Sequence, residues 1–222
     1  EDPTVVFDND FYLSINSLQQ TEVLEVFGTL STSYISQLFA ENEFFSFKRT
    51  DASNLDVQSF DNADMIIVNG IESYSNQLKN KLNEALNGGV NVIIIPSASM
   101  PASELLPFGI RMTSDDKQRI KLERPDCSNP FFEGGFVEQR AEMQMPFGTT
   151  SYRLLNSEYD LLSFLNGRSF LSKVASADNL FVFTSPFEPE LTSFVNHALF
   201  VPVFYRLALG SQRNFAKLYN YT

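Results

Sequence analysis

The chain is poor in the residues from which catalytic and metal sites are most often built: its 222 residues include one cysteine, Cys127, one histidine, His197, and no tryptophan. A lone cysteine excludes an internal disulfide and a thiolate metal cluster, and Cys127 reads as an inert thiol. With so little sulfur and imidazole, a metal is left only carboxylates, and no calcium-loop spacing occurs. Asp8-Asn9-Asp10 comes nearest and reads as a solvated turn before Phe11 to Ile15. No metal and no cofactor is expected. Positive charge is scarce as well, with 16 Lys and Arg against 27 Asp and Glu, a formal net charge of −11 and a pI near 4.5. That balance repels phosphate backbones, and the basic residues are scattered, so nucleic acid is excluded as an expected partner and adsorption to anionic lipid is disfavoured.

Long apolar runs are also lacking. The best, Leu199 to Leu209, is interrupted by Pro202 and Arg206 and falls short of the roughly 18 to 20 residues of a spanning helix. Any membrane contact is therefore expected through segments outside this sequence. There is no Gly-x-Gly-x-x-Gly and no Walker lysine, and Gly88-Gly89 precedes a strand instead of following one. The chain opens at Glu1 without methionine or a basic, apolar leader, and is expected to be a piece of a longer protein.

What is abundant is phenylalanine, 22 residues in a chain that is 43% hydrophobic and 19% charged. The composition suits one globular domain over residues 1–222, with a core packed by aromatic rings that leave no polar atom to satisfy.

Glu22 to Phe27 reads as a strand ending at Gly28, and Ser31 as the cap of a helix reaching Phe39. Phe44 to Phe47 is extended, and the acidic stretch Asp51 to Asp61 leads to Met65-Ile66-Ile67-Val68, whose four consecutive apolar residues imply a strand buried on both faces. Ser75 or Asn76 caps a helix over Gln77 to Leu86, Gly88-Gly89 stops it, and Val92-Ile93-Ile94-Ile95 re-enters the sheet. This β-α-β order predicts an α/β fold with a mainly parallel, doubly wound sheet of the flavodoxin or amidotransferase type. Residues 110–150, punctuated by Pro125, Pro130, Gly134-Gly135 and Pro146, read as a loop-rich insertion. Tyr159 to Leu165 and Ser169 to Val174, joined through Asn166-Gly167, predict an added antiparallel hairpin. Leu180 to Thr184 is a further strand, followed by a helix around Leu191 to His197 and a closing apolar segment, Phe200 to Leu209.

Ligands of such sheets meet the carboxyl ends of the strands, here Asn69-Gly70-Ile71-Glu72 and Pro96-Ser97-Ala98-Ser99. Asn69, Gly70, Glu72, Ser97 and Ser99 are thus the candidate ligand-binding residues. A hydrolase would need a nucleophile, a base and an orienting acid, and the candidates are Ser97, His197, Glu188 and Glu190. His197 beside Asn196 and an apolar run reads as a helix-terminus residue, and Asp51, Asp56, Asp61 and Asp64 as a solvated face.

The order Ala63-Asp64-Met65-Ile66-Ile67-Val68-Asn69, helix, Gly88-Gly89, strand and elbow resembles the class I glutamine amidotransferase-like fold. In catalytic members of that fold the elbow carries a cysteine nucleophile and a later Phe-His-Pro-Glu supplies the other catalytic residues. Here the elbow offers Ser97, and the later echo is Phe187-Glu188-Pro189-Glu190, with glutamate in place of histidine. Both departures argue against glutaminase activity.

A narrower resemblance covers most of the chain. Asn129-Pro130-Phe131-Phe132, Leu161 to Phe170, and Asn196-His197-Ala198-Leu199-Phe200-Val201-Pro202 are similar to the region following the von Willebrand-type domain in long bacterial Bat-type proteins, the aerotolerance regulators. The resemblance implies a periplasmic, non-catalytic interaction or sensing domain of an inner-membrane-anchored envelope protein. Its expected partners are other envelope proteins or other domains of the same chain. The signature segments carry residue types suited to packing and main-chain hydrogen bonding. A hydrolase, and a small-ligand-binding domain at the strand ends, are the alternatives.

Overall fold

The computed structural model describes residues 20–28, 34–40, 43–126, 128–132 and 144–210; Asp8 to Asp10, Phe11 to Ile15, Ser31, Cys127 and Gly134-Gly135 lie outside them. A seven-stranded sheet runs β2-β1-β3-β4-β11-β10-β9. Its parallel part comprises β1 (Thr21–Phe27), β2 (Phe45–Asp51), β3 (Met65–Ile71), β4 (Asn91–Pro96) and β11 (Leu180–Phe183). At one edge β10 (Ser169–Val174) and β9 (Ser157–Ser163) add the expected antiparallel hairpin. The chain is thus an α/β fold with a mostly parallel sheet, as the buried apolar runs implied. Every residue of β3 and β4 is buried.

Two apolar layers cover the sheet. On one face α1 (Tyr34–Phe39) and α4 (Phe200–Leu209) pack with the phenylalanines, among which Phe170 and Phe194 lie 5.1 Å apart and Phe183 and Phe187 4.8 Å, ring centre to ring centre. Such edge-to-face pairs fill space without stranding a polar group. On the other face lie α2 (Gln58–Asp61), α3 (Asn76–Asn87) and a 3-10 segment, Ala102–Phe108. The Ser75 side chain caps α3, its Oγ accepting from the Leu78 N–H at 3.2 Å. At the other end the Gly89 N–H reaches the Leu86 carbonyl and the Val90 N–H the Ala85 carbonyl, which stops the helix as expected.

One local expectation is corrected and others gain detail. The helix expected at Leu191 to His197 is a turn followed by a 3-10 segment, Phe194–Asn196. Thr192 Oγ1 donates to the Phe147 carbonyl and accepts from the Phe194 N–H, while the Ser193 N–H also takes Phe147, so local side-chain bonds displace the helical ladder. The closing apolar segment is α4, which accommodates Pro202 in its first turn, where no intrahelical N–H bond is lost. Asn166-Gly167 does not form a two-residue turn. The Gly167 N–H bonds the Phe164 carbonyl and only Gly167 takes positive φ, +76°, giving a three-residue loop closed by a left-handed glycine. Within residues 110–150 the chain makes short antiparallel ladders: β5 (Met112–Ser114) pairs with β8 (Tyr152–Leu154), and β6 (Arg119–Lys121) with β7 (Phe147–Thr149). Among the described residues no helix is long and apolar enough to cross a membrane.

Candidate functional site

The strand order places a topological switch between β1 and β3. α1, which follows β1, packs on the phenylalanine face, and α3, which follows β3, on the opposite face. The two connections therefore leave the sheet in opposite directions and open a crevice between them. A cleft of about 670 Å³ lies there, lined by the ends of β1 (Phe27, Gly28), β2 (Asp51, Ala52, Ser53) and β3 (Gly70 to Ser73, and Ser75). Its floor depends on two glycines. The Gly28 N–H bonds the Asn69 carbonyl at 3.0 Å, and a Cβ on Gly28 would lie 2.2 Å from the Gly70 carbonyl oxygen. Gly70 itself has φ +65°, which side-chain-bearing residues rarely adopt.

Of the candidates at the strand ends, Gly70 and Glu72 line this cleft and Asn69 sits just behind it. Asn69 is 3% exposed, and its Nδ2 donates to Glu25 Oε1 at 2.8 Å. Because that partner is a carboxylate, which accepts, the amide orientation is fixed, and Asn69 Oδ1 is left buried without a hydrogen-bond partner. Glu25 is fully buried on β1 and is paired through Oε2 with Arg49 Nε at 2.9 Å, while the Arg49 guanidinium lies 3.7 Å over the Phe27 ring. This ion pair, with Asn69 bonded to it, was missed in the sequence; a glutamate at an inward position among the apolar residues Val23, Leu24 and Val26 of β1 was its one visible signal.

The serine hydroxyls of the elbow after β4 bond one another and Glu72. Ser97 is 6% exposed. Its Oγ lies 3.1 Å from Ser99 Oγ and accepts from the Ser99 N–H at 3.2 Å, and Ser99 Oγ donates to Glu72 Oε1 at 2.6 Å. Since Ser99 has one proton and gives it to the carboxylate, Ser97 must donate to Ser99. Among the described residues a carboxylate thus reaches Ser97 only through a second hydroxyl. The Tyr152 hydroxyl lies 2.7 Å from both the Ser97 and the Met100 carbonyl oxygens. Burial pushes the Tyr152 phenol up, with a smaller push from the charge of Glu188. Glu190 is exposed. The Glu188 carbonyl is bonded by the Leu191 and Thr192 N–H groups.

His197 is committed elsewhere. Its Nδ1 accepts from the Leu199 N–H at 3.2 Å, which leaves Nε2 to donate to the Gln144 carbonyl at 3.0 Å, a neutral ring in one tautomer. Burial holds its pKa below the usual histidine value. Asn129 Oδ1 accepts from the Phe131 N–H at 2.9 Å, a main-chain bond of the expected kind. The same segment borders an open groove of about 750 Å³ with Tyr159, Arg206 and Leu209. Among the described residues no group of three or more His, Cys, Asp or Glu could hold a metal.

No family model matches the chain, and no curated protein matches it in sequence. Solved structures do match in fold. A ThuA-like protein from Bacteroides uniformis superposes with a TM-score of 0.57 at 10% identity, covering 94% of this chain and 100% of that one. A protein assigned as a GMP synthase subunit, from Thermoplasma acidophilum, gives 0.55 at 13% identity, covering 86% and 93%. The mmIFT52 N-terminal domain gives 0.54 at 10% identity, covering 86% and 99%. The fold is therefore amidotransferase-like.

Proposed function

We propose that this chain is a non-catalytic interaction or sensing domain, an amidotransferase-like fold whose elbow no longer carries chemistry. The carrying observation is the bonding of Ser97: its proton goes to Ser99, its oxygen accepts a main-chain N–H, and the sole histidine is bound to Gln144 and Leu199. A serine nucleophile needs a base within about 2.6 to 3.2 Å, and Ser97 is offered a hydroxyl instead. The Bat-type phrases support a finer reading, a domain on the periplasmic side of an inner-membrane-anchored envelope protein that contacts other envelope proteins or other domains of its own chain. The groove bordered by Phe131, Tyr159 and Leu209, of which Tyr159 and Leu209 are exposed, supports such a contact. The test of the non-catalytic reading is labelling with a fluorophosphonate serine probe, alongside hydrolysis of chromogenic esters and of glutamine. We expect neither labelling nor turnover above buffer. Labelling that disappears in Ser97→Ala overturns the reading and restores the hydrolase.

A further inference from the structure

The charged groups that line the β1/β3 switch are both carboxylates, Asp51 and Glu72, beside the Ser73 and Ser75 hydroxyls, which can donate or accept. Asp51 gives one carboxylate oxygen to Ser53, whose N–H and hydroxyl both donate to Oδ1 at 2.7 Å. Those two bonds hold the Asp51 carboxyl below its usual range, main chain first and side chain second. Glu72 gives Oε1 to Ser99. Among the described residues nothing hydrogen-bonds the second oxygen of either carboxylate. Asn69 Oδ1 is buried and unpartnered behind the cleft and does not line it. Carboxylate oxygens only accept, so an occupant that engages Asp51 and Glu72 must bring donors. Among the described residues no lysine, arginine or histidine lines the cleft. Arg49, on the outer strand β2 and stacked on the Phe27 ring, is ion-paired with Glu25, and its charge also reaches Asp51. An anionic or phosphate-bearing occupant would meet two carboxylates and no cation among the lining residues, whereas a cation meets both carboxylates. Phe27, Ala52 and Ile71 supply apolar surface between the acidic rims.

We propose that this cleft binds a small ligand carrying a cationic amino group on an aliphatic body, with Asp51 and Glu72 taking the charge and Phe27 and Ile71 the hydrocarbon. The proposal rests on the reading of the chain as a non-catalytic sensing domain and gives that domain a ligand class.

The test uses three probes of equal length and different charge, namely cadaverine, the matching pentane diol and glutarate, titrated into the full chain and followed by amide chemical shifts. Cadaverine is expected to bind, with shifts concentrated at residues 27–28, 51–53 and 70–75. The diol should bind at least about tenfold more weakly and glutarate not detectably, because hydrogen bonds to charged groups are the stronger ones. Glu72→Gln keeps an acceptor for Ser99 and removes the charge; it and Asp51→Asn should each weaken cadaverine by about tenfold. Equal binding of diol and diamine, shifts that survive both substitutions, or no binding at tens of millimolar overturns the proposal. The serine-probe assay reports on the elbow alone. A chain that neither labels nor binds cadaverine refutes the ligand and leaves the non-catalytic reading standing; a chain that labels at Ser97 refutes that reading.

Discussion

Replacing Tyr152 by phenylalanine asks whether one hydroxyl holds the elbow. The residue is 4% exposed, and its oxygen lies 2.7 Å from the Ser97 and Met100 carbonyls. A phenol has one proton, so the two carbonyls share it. Phenylalanine keeps the ring and opens no cavity; the Ser97 carbonyl keeps only the Met100 N–H at 3.4 Å, and the Met100 carbonyl, in a residue 3% exposed, loses this donor. A buried acceptor without its donor costs about 1–3 kcal/mol, and since one proton served two, we expect about 2 kcal/mol in total. For a chain of this length that lowers the melting temperature by about 4–8 °C. Urea unfolding at neutral pH measures the loss, with Ser97→Ala as the comparison. That variant removes only a hydroxyl bonded to Ser99 and should stay within about 1 kcal/mol of wild type.

Alkaline titration supplies a second arm. Burial raises the Tyr152 phenol in the folded chain, with Glu188 adding to it. The unfolded chain therefore gives up this proton first, and the contribution to stability is whole below about pH 10 and fades as the pH climbs toward the folded value. Tyr152→Phe should flatten the alkaline fall without abolishing it, because burial, then the Glu104 charge, also pushes Tyr74 upward. A Tyr152→Phe variant within about 0.5 kcal/mol of wild type, or a Ser97→Ala variant that loses as much, refutes the reasoning.

Two further outcomes follow from the same geometry. Phe183 is fully buried and within 5.9 Å, ring centre to ring centre, of Phe170, Phe187, Phe194 and Phe204. Phe183→Ala should cost about 4 kcal/mol in chemical unfolding and Phe183→Leu, which keeps most of the volume, about 1–2 kcal/mol. His197 is the sole histidine and its folded pKa is lowered, so the unfolded chain binds the extra proton more readily. Its contribution is present above about pH 6.5 and is lost as the pH falls through the folded value. Stability measured from pH 7 down to pH 5 should drop in wild type and drop less in His197→Gln; parallel curves would show that the ring does not govern this window.

Much of the sheet was legible because buried parallel strands announce themselves. Met65 to Val68 and Val92 to Ile95 are continuous apolar runs with a capped, amphipathic helix between them, and local chemistry alone sets each of those features. Expectations failed where side-chain hydrogen bonds override the local pattern. Thr192 and Ser193 bond Phe147, which is 45 positions away in the chain for Thr192, and no window of sequence contains that information. The candidate site was half legible for the same reason. Gly70 and Glu72 follow from reading strand ends, but Phe27, Gly28, Asp51 and Ser53 join them only because β2 and β3 both pair with β1, and pairing order is not a local property.

The least readable segment also bears most directly on function. β8 follows β7 after Thr150 and Ser151, and its first residue is Tyr152. Pairing of β8 with β5 brings that residue over the elbow, where its hydroxyl binds two elbow carbonyls. An elbow can act as a nucleophile site when its hydroxyl faces a base and its backbone donors are free to meet an oxyanion. Here the Ser99 N–H points at Ser97 itself, and the Ser97 proton points at Ser99. The two serine hydroxyls are thereby committed to each other and the loop is clamped from above by Tyr152, and the neighbouring crevice offers open polar surface at this end of the sheet. There Gly28 and Gly70 keep the backbones close, and Asp51 and Glu72 each retain an unused acceptor. Elbow hydroxyls committed to each other beside an open polar cleft are what the proposed recognition domain requires.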